Sequence, residues 1–371
     1  MSERFDIAVI GGGPAGAATA IRAARSGARV VLVEKGPYGR DKICGDGLTP
    51  RAVAALDELK IPLGDAHRID GLRMIAGKRV RELPWSSDGR FPDHGAVWPR
   101  RRLDAALIDA DLVVAATGAP GAVARRLGAD RDPAEPFGLA IRAYVESPRH
   151  ADRHIEACLT IRDANGTWVP GYGWMFPCGD GTVNIGVGAL STMKGFKQLN
   201  LNHLLESYRA LVQDDWQIGP NLERPRAWRL PMSAVRRHGA GWVAIGDAAG
   251  LVNPMNGEGI DYGLESGMLA ADLFLADPAT APEEYDRLIG ERFDGFLRTG
   301  RRFAFLIGHP RLMRTGLRFA VGTQSIANIT LQVMGNLVDA DTPGAAGRTL
   351  RVADRALALA DPLLRRTRAR A

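Results

Sequence analysis

The chain is poor in cysteine, aromatic residues and long apolar runs, and each scarcity closes off a class of explanation. Only three cysteines occur in 371 residues (Cys44, Cys158 and Cys178), without CxxC or paired spacing. A disulfide framework or structural zinc site is therefore not expected, and a reducing compartment fits. The seven histidines show no ligand spacing, so no metal is expected. No run reaches the roughly 18 apolar residues that a membrane-spanning helix needs, and Met1–Asp6 does not read as a signal peptide. Acidic residues number 42 against 48 Lys and Arg, a net charge of +6. The basic excess lies largely in the C-terminal quarter, with no base-stacking aromatics between the arginines. Nucleic-acid binding is not expected; an anionic membrane surface suits the pattern better.

What is plentiful is glycine, 44 residues, many of them clustered. With 46% hydrophobic and 24% charged residues, the composition is that of a globular protein of two or three domains. Phe5–Ile10 reads as a buried parallel strand running into Gly11-Gly12-Gly13-Pro14-Ala15-Gly16. An alanine-rich helix, Ala15–Ser26, closes at Gly27, and a second strand, Arg29–Val33, ends in Glu34. Gly11, Gly13 and Gly16 form a GxGxxG that follows a strand and opens a helix, which is the context of a dinucleotide site. Gly11 permits the turn, Gly13 lets the backbone approach a pyrophosphate, and Gly16 lets helix and strand pack. Glu34 is placed to accept hydrogen bonds from ribose hydroxyls.

A second glycine cluster points to FAD in an extended conformation. Gly241–Gly246 reads as a hydrophobic strand leading to Asp247, and Asn253-Pro254-Met255-Asn256-Gly257-Glu258-Gly259-Ile260 opens the helix Ile260–Leu275. Asp247 is suited to the ribityl hydroxyls, and the Gly259 and Ile260 amides to the N1/O2 edge of a reduced flavin. Elsewhere Thr49–Leu59, Arg100–Asp109 and Leu199–Gln213 read as helices, Asp111–Ala116 as a buried strand, and Phe137–Val187 as antiparallel strands. The chain after Pro282 reads as helical. There Arg298, Arg301, Arg302, Arg311, Arg314 and Arg318 alternate with apolar residues, and Arg365, Arg366, Arg368 and Arg370 follow near the C-terminus. Solvated helix faces are the default reading of such a pattern, while contact with a membrane interface would bring a lipid tail to the site.

Asp41-Lys42-Ile43-Cys44-Gly45-Asp46-Gly47-Leu48-Thr49-Pro50, Tyr172-Gly173-Trp174-Met175-Phe176-Pro177 and Asn253–Ile260 resemble the geranylgeranyl reductase family of flavoproteins. Val183–Gly188 and Val333–Val338 extend the likeness toward its actinobacterial menaquinone reductases. The resemblance implies an α/β fold. A Rossmann-like FAD-binding domain of the glutathione-reductase-2, or para-hydroxybenzoate-hydroxylase-like, type would join an antiparallel β-sheet substrate domain and a C-terminal helical region. The expected division is 1–60, 96–130 and 240–281 for FAD, 61–95 and 131–239 for substrate, and 282–371 for the basic helical part.

Family membership implies FAD-dependent saturation of an isoprene double bond in a prenyl lipid, menaquinone or a geranylgeranyl lipid, on the cytoplasmic side of the cell membrane. Carried over, it assigns FAD contacts to Ala15, Glu34, Cys44, Gly45, Gly47, Arg100, Asp247, Gly259 and Ile260. Thr117-Gly118 departs from the family's Asp-Gly, with Ala119 still able to offer a backbone contact. Tyr172, Trp174 and Phe176 alternate, so a strand would turn all three to one side. Read alone they suit an aromatic core stripe; with the flavin motifs and the resemblance they suit the wall of a prenyl cavity. Cys44 and Tyr172 are the expected proton donors. Alternatives are a FAD monooxygenase or halogenase on the same fold, and a non-catalytic membrane-bound flavoprotein that carries prenyl lipid. No second GxGxxG marks an electron donor. The abrupt junction at Asp109–Asp111, where Ala110 alone separates helix from strand, predicts that residues are missing there.

Overall fold

The computed structural model describes residues 5–34, 36, 42–85, 89–108, 115–116, 132–163, 165–308, 310–338 and 342–369. The Asp109–Asp111 junction and Ala119 lie outside these residues, as do Thr117 and Gly118.

Ile7–Ile10 pairs in parallel with Val30–Val33, Ile7 opposite Val30, and Val30–Val33 pairs in parallel with Ala115–Ala116. The connecting helix, Pro14–Arg25, begins on a proline, whose missing N–H is no loss in a first turn. It ends before Gly27, which takes the left-handed conformation, φ +88°. Its alanine face is buried against the helix Ile260–Ala276. A Cβ on Gly267 would lie 2.3 Å from the Ala15 carbonyl oxygen, so the crossing requires glycine there. This contact sets the two expected cofactor segments side by side.

The second layer is a seven-stranded sheet in the order Arg226–Pro231, Phe137–Glu146, Thr182–Leu190, Gly171–Pro177, His154–Cys158, Gly71–Ala76, Arg79–Pro84. Neighbours are antiparallel except His154–Cys158 and Gly71–Ala76, which run parallel. One face is covered by the helix Leu201–Trp216 through Leu204, Leu205 and Tyr208. That helix starts at Asn200, whose side chain accepts from the amides of Asn202 and His203. The opposite face turns to a large cavity. Helices Ala281–Ile289, Gly295–Ile307, Pro310–Ala320, Gln324–Met334 and Ala345–Ala369 complete the chain, as the helical pattern after Pro282 predicts. None of the described helices is long and apolar enough to cross a membrane.

Two expectations need correction. Gly241–Gly246 is not a continuous strand. Only Trp242–Val243 pairs, antiparallel to His238–Gly239, and Gly246 opens a short helical turn at φ +53° that a buried strand does not permit. The basic C-terminal arginines are also not uniformly a solvated face. Arg301 turns inward, 3.6 Å from Glu135, and Arg302 sits 3.2 Å from Asp354. The side chains of Arg311, Arg314, Arg365, Arg366, Arg368 and Arg370 lie outside the described part.

Candidate functional site

The cavity has a volume of about 2060 Å³ and runs from the first glycine loop, past the aromatic strand, into the C-terminal helices. A site for one small molecule is usually roughly 300–1,000 Å³. There is room for an extended cofactor and a second molecule beside it.

Its first end is built by the Gly11–Gly16 turn. A Cβ on Gly16 would sit 1.8 Å from the Gly11 carbonyl oxygen, so helix and loop could not close with any other residue. Gly13 caps the helix Pro14–Arg25 without a side-chain hydrogen bond, and no acid lies in its first turn. The positive helix end thus faces the cavity. Lys42 Nζ and Arg100 Nη2 lie 2.6 and 3.6 Å from where a Gly13 Cβ would be. Two cations therefore cover the loop where a pyrophosphate would sit. Arg100 is held there by a bidentate pair with Asp104, at 2.9 and 3.0 Å. Glu34 is buried at the end of its strand and accepts the Gly12 amide at 2.7 Å.

At the other end, Asp247 stands in the Gly246–Ala249 turn, its Oδ1 3.2 Å from a would-be Cβ on Gly259. Gly259 caps the helix Ile260–Ala276, again with no side chain on its amides. These two uncapped helix ends, the paired cations and Glu34 suit a dinucleotide with its phosphates at one end and a flavin ring at the other. The residues present fit FAD. Of the sequence-predicted cofactor residues, Gly11, Gly13, Ala15, Gly16, Glu34, Cys44, Gly45, Gly47, Arg100, Asp247, Gly259 and Ile260 all line this one cavity.

Between the two ends lies the aromatic strand Gly171–Pro177. Tyr172, Trp174 and Phe176 all face the cavity, with ring centroids 5.7 and 6.2 Å apart in sequence. Trp174 lies over Gly186 on the neighbouring strand, where a Cβ would come within 2.1 Å of its ring. Phe176 packs on Gly45 and Gly47. The strand thus touches the Cys44–Gly47 segment directly.

Sequence reasoning missed the centre of that contact, Asp46. It is fully buried in a left-handed conformation, φ +65°. Its carboxylate accepts the Arg100 amide at 3.1 Å, Asn184 Nδ2 at 2.8 Å and the Tyr144 hydroxyl. Asn184 in turn accepts Trp174 Nε1 at 2.9 Å and donates to the Cys44 carbonyl at 2.8 Å. Burial pushes Asp46 up to about 6, against the pull of Tyr144 and Asn184. The one available signal was an acid set between two glycines. Lys42, Thr49 and Glu258, also on the cavity wall, were missed as well.

The two expected proton donors differ. Cys44 is half-buried and its sulfur accepts the Asp46 amide at 3.2 Å. Burial, then the Asp46 charge, raises its thiol above the ordinary value, so the proton stays on. Tyr172 is also raised by burial, and its hydroxyl donates to the Asn256 carbonyl at 2.6 Å. That bond ties the aromatic strand to the Asn253–Gly259 loop. No cluster of metal-ligating side chains occurs among the described residues.

Comparison with known proteins agrees with this geometry. Residues 6–82 match the family described as FAD dependent oxidoreductase. The chain is 38% identical to the menaquinone reductase of Mycolicibacterium smegmatis, covering 96% of this chain and 98% of that protein. It is 35% identical to the menaquinone reductase of Mycobacterium tuberculosis, covering 92% and 93%. In fold it resembles a geranylgeranyl bacteriochlorophyll reductase-like protein from Thermoplasma acidophilum, TM-score 0.71 at 20% identity, covering 94% of this chain and 99% of that one. With near full-length identity above 35% and a cavity shaped for FAD, the chain belongs to the menaquinone reductase family of FAD-dependent oxidoreductases.

Proposed function

We propose that the protein saturates an isoprene double bond in the side chain of menaquinone. The supporting observation is the continuity of the cavity. The flavin end passes without a wall into an apolar lobe lined by Phe303, Ile307, Leu317, Ile329, Met334 and Leu357. A polyisoprenyl chain lying there would bury apolar area at roughly 25 cal/mol per Å². Bound and reduced, FAD supplies a hydride.

The chain's own groups do the rest. Lys42, Arg100 and the Gly13 helix end would hold the pyrophosphate, Glu34 the adenosine ribose, and Asp247 the ribityl chain. The Gly259 and Ile260 amides would stabilise negative charge on the reduced ring. Tyr172, Trp174 and Phe176 would exclude water and present ring faces to the alkene, favouring positive charge that develops on the carbon that will accept the hydride. An isolated alkene accepts hydride poorly, so that polarisation accompanies the transfer.

The lipid reaches the site from a surface. Phe319 is 70% exposed yet also lines the cavity, so the cavity opens beside it. Val352 and Leu359, on the helix Ala345–Ala369, are 66% and 83% exposed. We read this edge as the face laid against the membrane.

The test is anaerobic. Holoenzyme with reduced flavin is mixed with menaquinone, and the flavin spectrum and lipid mass are followed together. Flavin reoxidation with two hydrogens gained in the side chain supports the proposal. A quinol product with an unchanged side chain overturns it.

A further inference from the structure

On and behind the cavity wall lies a set of carboxyl groups short of cations. Glu258, Asp261 and Glu265 follow one another around the loop and first turns of the helix Ile260–Ala276 at spacings that share a face. Glu265 takes both nearby guanidinium groups. Arg51 holds it through Nε at 2.5 Å and Nη2 at 3.1 Å, and Arg292 through Nη2 at 2.6 Å. The remaining Arg51 nitrogen, Nη1, donates to the Asn336 carbonyl at 3.1 Å. Asp261 is left 4.0 Å from Arg51, completely buried, with neither carboxyl oxygen hydrogen-bonded. Glu258 faces the cavity and, among the described residues, accepts from neutral side-chain donors, the Thr49 hydroxyl at 2.5 Å and Asn256 Nδ2 at 3.4 Å.

Two neighbouring carboxylates, Asp261 fully buried and Glu258 half-buried, would be costly without a cation of their own, and such a pair keeps a proton. We propose that Glu258, with Asp261 behind it, holds and delivers the proton that completes saturation of the double bond. The proposal rests on the reductase reading above. Saturating a C=C bond consumes one hydride and one proton. The hydride carries the electron pair that forms the first new C–H bond; the π electrons form the second with the Glu258 proton. Glu258 is left as a carboxylate and, only half-buried on the cavity wall, takes its next proton from water there.

The groups facing Glu258 are consistent with this role. Thr49 and Arg51 approach from the helix Pro50–Glu58 and its cap, Asn256 from its own loop, Tyr172 from the aromatic strand, and Asp261 and Tyr262 from the helix that follows. Burial raises Glu258 to about 7 and, with the Glu258 charge beside it, lifts Asp261 well above the ordinary range. Asp261 acts on the reaction only through Glu258 and is a positioning residue.

The experiment compares holoenzyme with Glu258→Gln, Glu258→Asp and Asp261→Asn, each first checked for an unchanged flavin spectrum and circular dichroism. Infrared spectroscopy should show a protonated-carboxyl band in the wild type that titrates near neutral pH and is absent from Glu258→Gln. With reduced flavin and prenyl lipid, Glu258→Gln should slow saturation by roughly 100-fold or more, and Glu258→Asp should restore part of it. The wild-type rate should fall as pH rises through about 7. Asp261→Asn should leave that fall in place, because burial and not the Asp261 charge raises Glu258. Absence of the Glu258 band overturns the proposal whether or not any prenyl lipid is reduced. Unchanged turnover and pH profile in Glu258→Gln also overturn it while leaving the reductase reading in place. Failure of the wild type to saturate prenyl lipids, with the band present, counts against the reductase reading.

Discussion

Asp46 receives hydrogen bonds from three separate parts of the chain, and its ionisation carries a measurable consequence. Its folded value of about 6 lies above the ordinary 3.8 because burial outweighs those bonds. Between these values the folded state holds a proton that the unfolded chain has released. The group's contribution to stability is therefore full below about 4 and is lost as pH rises through about 6. Some two units correspond to a loss on the order of 3 kcal/mol. Asp46→Asn does not titrate, so urea melts should show the variant gaining on the wild type by that order between about pH 4 and 7; a constant gap would refute the assignment. Glu34 makes a second residue-scale prediction. Glu34→Ala should weaken FAD binding by about 1.5–3 kcal/mol, roughly ten- to hundredfold in Kd, read by flavin retention on dialysis. Undiminished retention would remove Glu34 from the site. Glu34 was legible in the sequence because a strand end after GxGxxG is a recurrent place for a ribose acceptor. Asp46 was not, because its partners Tyr144 and Asn184 lie 98 and 138 positions away and no local pattern announces them.

At the scale of elements, periodicity and glycine spacing were most informative where a segment has one job. The strand–turn–helix from Ile7 to Arg25 and the helix Ile260–Ala276 came out within a residue or two of expectation. The Gly241–Gly246 segment misled because its apolar residues pack around a turn instead of in a ladder; Ala244 and Ile245 belong to the cluster with Tyr262 and Tyr285. The aromatic strand was legible as a strand, but alternation alone could not say which face met a cavity. Its supporting glycine, Gly186, sits on the next strand. Trp174→Ala should impair lipid saturation while leaving the bound-flavin spectrum nearly intact. Loss of fold and flavin together would return the strand to a core role. Gly186→Val should give a similar defect by pushing the ring out of place, since its first side-chain carbon already collides with Trp174.

For the whole molecule, cavity and surface meet at Phe319. Holoenzyme should co-sediment with vesicles containing anionic lipid, and Phe319→Glu should weaken that binding several-fold without altering flavin content. Equal sedimentation of the variant would move the membrane face elsewhere. One further consequence follows from how the walls are shared out. The groups near the flavin end come from residues up to Ile260, whereas the far apolar lobe draws side chains such as Phe303, Ile307, Leu317, Ile329 and Leu357 from the C-terminal helices. Exchange of side chains in that late stretch can lengthen or shorten the accommodated chain without disturbing the reacting groups. Divergence among relatives acting on lipids of different length should therefore concentrate there, and the C-terminal helices offer a ruler that evolution, or a protein engineer, can reset by itself.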